Sequence, residues 1–387
     1  MSYFLSEEQE MIRDTARRFA REQVEPVANR IDREDKVPAA LYRKSAELNF
    51  FGLFIPEEYG GLGQSLTTAC LVLEEIAKAS PAYAALLSVE MVLCPAAIAL
   101  AGTEEQKRRY LLPAAKGERV LAWSMTEAAG SANLAQHQTR IEADGNGYRV
   151  NGVKLFCTQG LANTILLLAR TRHDGKEGYG CVMVDRDSPG VEPAPHESKL
   201  GWRGTNTGSI AYNNVYVPAE DVLGGLLTGM ADLWGANVPS FIAHSATSLG
   251  CAQGMFDKTV AYVKERNIYG KPLYHCQPAA YVLAESYARL EAMRSLLYAT
   301  TQRFDQKRQD PVMGATCKAW ICDTAFEVTN KLLQLWGGSG IMDSTGVNRY
   351  MRDARTNMIA EAPSELHYDV ISAYVLGKPT AWGMTFG

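Results

Sequence analysis

A chain of 387 residues with 47% apolar and 21% charged side chains is too long for one small core, so two or three packed units are expected. That composition excludes a disordered or low-complexity protein. The formal charge of -4, with no Lys/Arg block, argues against nucleic acid or an anionic membrane as partner and leaves room only for a local basic pocket.

Along the chain, the first third reads as helix. Acidic Glu7, Glu8 and Glu10 stand at the start, which fits neither a signal peptide nor a transit segment, and runs such as 165–169 are too short to span a membrane. A cytoplasmic protein is therefore expected. Ser6 with Gln9 makes a capping box, and Met11, Ile12, Ala16, Phe19 and Ala20 follow at helical spacing. Further helical windows cover 41–48, 67–79 and 82–100, two of them separated by the turn Pro56-Glu57-Glu58-Tyr59-Gly60-Gly61.

From about 120 to 225 the pattern changes to short strands. Asp144-Gly145-Asn146-Gly147 and Asn151-Gly152 are hairpin signals. Strand-like runs cover 139–143, 148–150, 164–169, 181–184 and 209–217, Pro189, Pro193 and Pro195 punctuate a loop, and Pro218 closes the segment. Beyond Gly229 the helical period returns over 243–266, 278–308 and 312–336, with enough small and apolar positions to cover more than one face. The expected architecture is α+β in three units: an all-α domain over 1–119, a small β-barrel or sandwich over 120–226, and a four-helix bundle over 227–387.

The eight cysteines (Cys70, Cys94, Cys157, Cys181, Cys251, Cys276, Cys317 and Cys322) form no C-x-x-C pair and mostly sit in apolar runs. They read as small buried hydrophobes in a reducing compartment, and no metal site is expected.

Seven strings stand out, of which the first is by itself a turn and the fourth is mainly structural. They are the turn 55–61; Trp123-Ser124-Met125-Thr126-Glu127 with Gly130-Ser131; Asn151 to Gly160, containing Lys154, Phe156 and Thr158; Lys199-Leu200-Gly201-Trp202-Arg203-Gly204; Arg266 to Pro272, containing Tyr269, with Gln277; Gln334-Leu335-Trp336-Gly337-Gly338-Ser339-Gly340; and Arg352-Asp353-Ala354 followed by Glu361-Ala362-Pro363-Ser364-Glu365. In this order they resemble the acyl-CoA dehydrogenase superfamily over nearly the whole chain.

The resemblance implies an FAD enzyme that oxidises an acyl-CoA thioester between its α and β carbons. Glu361 would abstract the α-proton, with its own N–H and a flavin ribityl hydroxyl holding the thioester oxygen. Trp123, Met125, Thr126 and Ser131 would lie along the flavin and pyrophosphate, with Phe156 against the ring and Thr158 near N5. Arg266, Tyr269 and Gln277 would reach the FAD of a neighbouring subunit in a homotetramer. Gln334, Gly337, Gly338 and Glu365 would complete the cofactor contacts, and an electron-transfer flavoprotein would accept the electrons.

The chain also departs from the family. Ala362-Pro363 replaces Gly-Thr after the base, Phe241 stands where an arginine is usual, Ser240 occupies an alternative base position, and Gly130-Ser131 falls one place early. Glu90, on an otherwise apolar helix whose family counterpart lines the acyl pocket, joins Ser240, Phe241 and Ala362 as a pocket candidate. Its other reading is a solvated or hydrogen-bonded helix carboxylate. His244 and His275 read as structural. Still open are an alicyclic acyl-CoA dehydrogenase using Glu90, a dehydrogenase acting on carrier-protein thioesters, an acyl-CoA oxidase, and a scaffold without chemistry.

Overall fold

The computed structural model describes residues 5–130, 134–158, 162–194, 197–226, 230–308 and 311–381. Seven helices come first: α1 (Glu7–Phe19), α2 (Glu25–Glu34), α3 (Ala39–Glu47), α4 (Leu66–Ala79), α5 (Pro81–Ser88), α6 (Cys94–Ala101) and α7 (Glu104–Ala115). Single π-helical turns, Ala20–Val24 and Val89–Leu93, join α1 to α2 and α5 to α6. The Ser6–Gln9 capping box opens α1 as expected. Missing from the sequence expectation is α7, although Thr103 and Gln106 form a second capping box at its start. The stretch Pro81–Ala101 is long and apolar enough to cross a membrane, which corrects the expectation that no run approaches a span. However, 78% of its apolar window is buried inside the protein, as in a core helix.

Seven strands follow: β1 (Leu121–Ser124), β2 (Arg140–Asp144), β3 (Gly147–Cys157), β4 (Thr164–His173), β5 (Lys176–Asp185), β6 (Val191–Pro193) and β7 (Gly208–Pro218). They form one mixed sheet in the order β1-β4-β2-β3-β7-β6, with β5 also on β4. Asp144 pairs with Gly147, so Gly145-Asn146 is the two-residue hairpin loop that the sequence announces.

Asn151-Gly152 is not a turn; it lies within β3. Pairing shifts between Val150↔Val215 and Gly152↔Tyr212, which marks a bulge. The glycine is needed there because its φ is +148° and an added Cβ would lie 2.4 Å from the Thr139 hydroxyl. Pro193 is likewise part of β6 and not of a loop.

The remaining chain is α8 (Met230–Glu265), a two-strand ribbon β8 (Asn267–Ile268) and β9 (Lys271–Pro272), then α9 (Gln277–Asp305), α10 (Pro311–Trp336), α11 (Asn348–Ile359) and α12 (Ser364–Leu376). Helix α8 begins well before the expected 243 and contains Pro239.

One apolar cluster joins both helical parts: Phe19, Phe50, Leu73 and Tyr83 pack with Ile242, Leu249, Leu297, Ile321 and Tyr350. The close contact of α4 with α8 rests on two glycines one helical turn apart. A Cβ on Gly250 would lie 2.3 Å from the Glu74 carbonyl, and one on Gly254 would lie 2.2 Å from that of Lys78.

Candidate active site

Glu361 lies in the short connection between α11 and α12. It and Ala362 both have positive φ, 53° and 72°. Each such non-glycine residue costs about 1–3 kcal/mol, so the surroundings must hold the turn in place. Lys318 of α10, fully buried, donates from Nζ to the carbonyls of Met358 (3.1 Å) and Ala362 (2.6 Å), one at each side of the turn. His367 of α12 donates from Nε2 to the Glu361 carbonyl at 3.2 Å. Ser364 donates to Asp323 at 2.6 Å, anchoring the start of α12.

The Glu361 side chain is 12% exposed. Ser240 Oγ donates to Oε2 at 2.7 Å, while Oε1 has no hydrogen-bond partner among the described residues. Burial raises this carboxyl from 4.5 to about 7, against the opposing pull of the Ser240 hydroxyl and the Lys318 charge.

That shift has a consequence for folding. An acid raised in the folded state loses stability as pH climbs from its unfolded pKa to its folded one. Glu361→Gln removes the ionisation, so the variant should be more stable than wild type above pH 7, by up to about 3 kcal/mol. The difference should vanish as pH falls toward 4.5. Unfolding midpoints measured across pH check this, and a gap that does not change with pH would contradict it.

Behind the carboxyl lies a polar chain that runs into the sheet. His244, one helical turn after Ser240 on α8, is fully buried and held neutral, its pKa lowered to about 3 by burial and by Lys318. Its Nδ1 lies 3.9 Å from Glu361 Oε1 and its Nε2 3.0 Å from the Asn357 carbonyl. Asn357 accepts from the Trp202 indole N–H at 2.7 Å and donates to Ser248 at 2.8 Å. The Trp202 main-chain N–H donates to Asp353, and Arg352 donates to the Leu200 carbonyl and to Asp32. Thus the Lys199–Gly204 and Arg352–Ala354 strings, far apart in sequence, are one contact. From Trp202 the chain continues through Thr205 and Thr207 to Thr158 at the end of β3. Phe241 packs edge-on to the His367 ring, centroids 4.6 Å apart.

At the far end of that chain, β1 and β3 bring together Trp123, Met125, Thr126, Phe156 and Thr158. The Leu155 N–H donates to the Thr126 carbonyl, and the Cys157 thiol to that of Trp123. Fully buried Lys154 donates to the Met125 carbonyl (2.8 Å) and to Glu127 (2.7 Å), whose carboxylate also accepts the N–H groups of Gln138 and Thr139. Between Lys154↔Ile210 and Cys157↔Gly208, β3 takes three steps to two on β7. The extra residue is taken up near Phe156, whose φ is +55° and which is 67% exposed. A bulky aromatic held in that conformation and left open is a strained display of an apolar face.

Arg266, Tyr269, Gln277, Gln334, Gly337, Gly338 and Glu365 are all exposed. The Arg266 and Gln334 segments meet each other, since Tyr262 stacks on Trp336 with centroids 4.0 Å apart. Ser131 lies outside the described residues.

Glu90 is buried, at 5% exposure, in the π-helical turn before α6, and accepts from the Tyr42 hydroxyl at 3.2 Å. This excludes a solvated carboxylate and agrees with a hydrogen-bonded one. Burial raises the Cys94 thiol, and the charges of Glu90 and Glu361 add to that effect. His275 is exposed beside Tyr274. No group of His, Cys, Asp or Glu suited to a metal is found among the described residues. The residues missed by sequence reasoning are His244 (taken as structural), Lys318, His367 and Asn357. Only His244 carried a signal, its four-residue spacing from Ser240 on one helix face.

Comparison with known proteins agrees with this arrangement. Residues 6–118, 122–215 and 241–376 match the models for the acyl-CoA dehydrogenase N-terminal, middle and C-terminal domains. The chain is 32% identical to a short-chain-specific acyl-CoA dehydrogenase of Clostridium acetobutylicum, over 97% of this chain and all of that one. It is 34% identical to an acryloyl-CoA reductase (NADH) of Anaerotignum propionicum, over 98% of this chain and 97% of that one. The solved butyryl-CoA dehydrogenase of Megasphaera elsdenii superposes with a TM-score of 0.92 at 28% identity, covering 97% of this chain and all of that one. The helical, β and helical order, the motifs and these matches agree: this chain belongs to the acyl-CoA dehydrogenase family, whose members are FAD-dependent oxidoreductases of acyl-CoA thioesters.

Proposed function

We propose that this protein introduces an α,β double bond into an acyl-CoA, with Glu361 as the base that takes the α-proton. The observation carrying this is a buried carboxyl raised to about 7, set on a turn strained at two successive residues. A base whose pKa lies near the working pH combines an ionised fraction with proton affinity. Its N–H would hold the thioester oxygen while the side chain faces the α-carbon, so one residue serves both sides of the enolising group.

The residues present fit FAD. Phe156 offers an open ring face, Thr126 and Thr158 are half-buried hydroxyls near it, and the exposed Arg266 guanidinium suits a pyrophosphate. Trp123 and Met125 would flank the ring; Tyr269, Gln277, Gln334, Gly337, Gly338 and Glu365 would hold the remainder. When bound, FAD supplies the two-electron acceptor for the β-hydride. The exposure of the Arg266 and Gln334 group supports a homotetramer in which it meets a neighbour's cofactor, and an electron-transfer flavoprotein is the proposed acceptor. Phe241, Ser240 and Ala362 would border the acyl group. Buried Glu90 favours a second reading, in which the acyl group is polar or alicyclic and Glu90 meets it.

Anaerobic mixing with a panel of acyl-CoA thioesters should bleach the flavin, with a rate that rises with pH through about 7 as Glu361 ionises. Bleaching by none of them would sink the proposal. Rapid recolouring in air would assign an oxidase, and bleaching only by carrier-protein thioesters would reassign the substrate.

A further inference from the structure

Which ring nitrogen of His244 carries its proton follows from its neighbours. Nε2 lies 3.0 Å from the Asn357 main-chain carbonyl, which can only accept. Nε2 therefore holds the hydrogen of the neutral ring, and Nδ1 presents a bare lone pair. That lone pair faces Glu361 Oε1 at 3.9 Å, and both atoms are buried and without a hydrogen-bond partner among the described residues. When Glu361 is a carboxylate, two acceptors oppose each other, and a separation just beyond hydrogen-bond length is what such a pair would keep. When Glu361 is a carboxylic acid, Oε1 can donate, and a small rotation closes the gap.

We propose that His244 is a positioning residue for the base: a tautomer-locked acceptor whose Nδ1 takes a hydrogen bond from the Glu361 Oε1–H once the α-proton has been taken. This rests on the reading of Glu361 as the base. In the step, the Cα–H bond breaks, its electron pair stays with the acyl group, and an O–H bond forms at Glu361. His244 contributes a lone pair and takes no proton. Ser240 holds Oε2 in both states, so the arrangement leaves one oxygen fixed and one free to respond. The device favours the product of proton abstraction over the resting carboxylate, which strengthens the base.

The other titratable groups bearing on His244 do not supply this acceptor. From α10 comes the Lys318 ammonium, which donates to carbonyls of the turn, and the Cys322 thiol, reached through Ser248. From α12 comes His367, whose Nε2 is committed to the Glu361 carbonyl. Asp353 of α11 is engaged by the Trp202 N–H.

Two measurements on the holoenzyme test the proposal. Solid-state nitrogen-15 spectra of histidine-labelled wild type should show a neutral His244 with Nδ1 unprotonated; an Nδ1–H tautomer overturns it. Infrared titration should follow the protonated carboxyl of Glu361, identified as the band absent from Glu361→Gln. His244→Leu should lower its midpoint by about one pH unit, the weight of one buried hydrogen bond. His244→Asn, which can return an acceptor oxygen near the Nδ1 position, should bring it back. Identical midpoints in wild type and His244→Leu overturn the proposal, as does a drop that His244→Asn does not reverse. Should the Leu variant fail to fold, the wild-type spectra and the Asn variant decide alone. Failure of the base reading would look different: Glu361→Gln would reduce flavin at the wild-type rate while the His244 effects on the titration persisted.

Discussion

Glu361→Gln is expected to slow flavin reduction by saturating acyl-CoA roughly 10²–10⁴-fold, the usual cost of losing a general base. Gln keeps the size of the side chain and an oxygen to accept from Ser240, but it cannot take up a proton at neutral pH. The proposed FAD contacts at Thr126, Thr158, Arg266, Gln277 and Gln334 do not involve it, so flavin content should be unchanged. The loss should fall on the rate at saturation and not on substrate affinity, which marks an interaction made in the transition state. Stopped-flow bleaching of the variant measures it. A wild-type rate would show that Glu361 is not the base, and Glu90, also buried, would be the next carboxyl to replace.

Lys154→Met should be the most destabilising single change near the proposed flavin face. Lys154 and Glu127 are both buried, 2.7 Å apart. Burial works to raise the Glu127 carboxyl, but the Lys154 ammonium and the N–H groups of Gln138 and Thr139 outweigh it and bring it down to about 2. Removing the ammonium leaves a buried carboxylate short of its cation, at a cost of about 3–5 kcal/mol. It also frees the Met125 carbonyl and loosens the turn that carries Thr126, so flavin content should drop with stability.

The pH dependence has a definite sign. A depressed carboxyl contributes stability above its unfolded pKa, and that contribution is lost as pH falls through the folded value. In the wild type the Glu127 contribution is therefore complete above about pH 4.5 and disappears toward about 2. In Lys154→Met most of it should be absent already at neutral pH. Unfolding midpoints and flavin absorbance of the two proteins across acid pH check this; equal midpoints at neutral pH would refute it.

Local chemistry made much of the fold readable. The Ser6 capping box, the Gly145-Asn146 loop and the long helical periods after Gly229 each act within a few residues of themselves, so their meaning survives without the rest of the chain. Where reading failed, distant contacts decided. Asn151-Gly152 has the composition of a turn, but Thr139 packs so close that the glycine serves a bulge. The helical period reads from 243, yet α8 begins at Met230 and carries Pro239 within it.

The site divides in the same way. Glu361 was legible because its string stands in order with six others. The groups that surround it were not: Lys318, His367 and His244 come from three helices and converge on a short turn. No spacing along the chain records that convergence. Glu90 was ambiguous for a related reason, since only the position of Tyr42 and the packing around the π-helical turn make it a buried carboxyl.

The glycine pair on α8 bears on how the molecule can move. Because Gly250 and Gly254 let the backbones of α4 and α8 touch over a full helical turn, those two helices cannot slide or pivot without main chain striking main chain. The amino-terminal helices and the carboxy-terminal bundle are thereby pinned together at this crossing, in addition to sharing one apolar cluster. A change of shape that kept this contact would have to come from loops and side chains away from it.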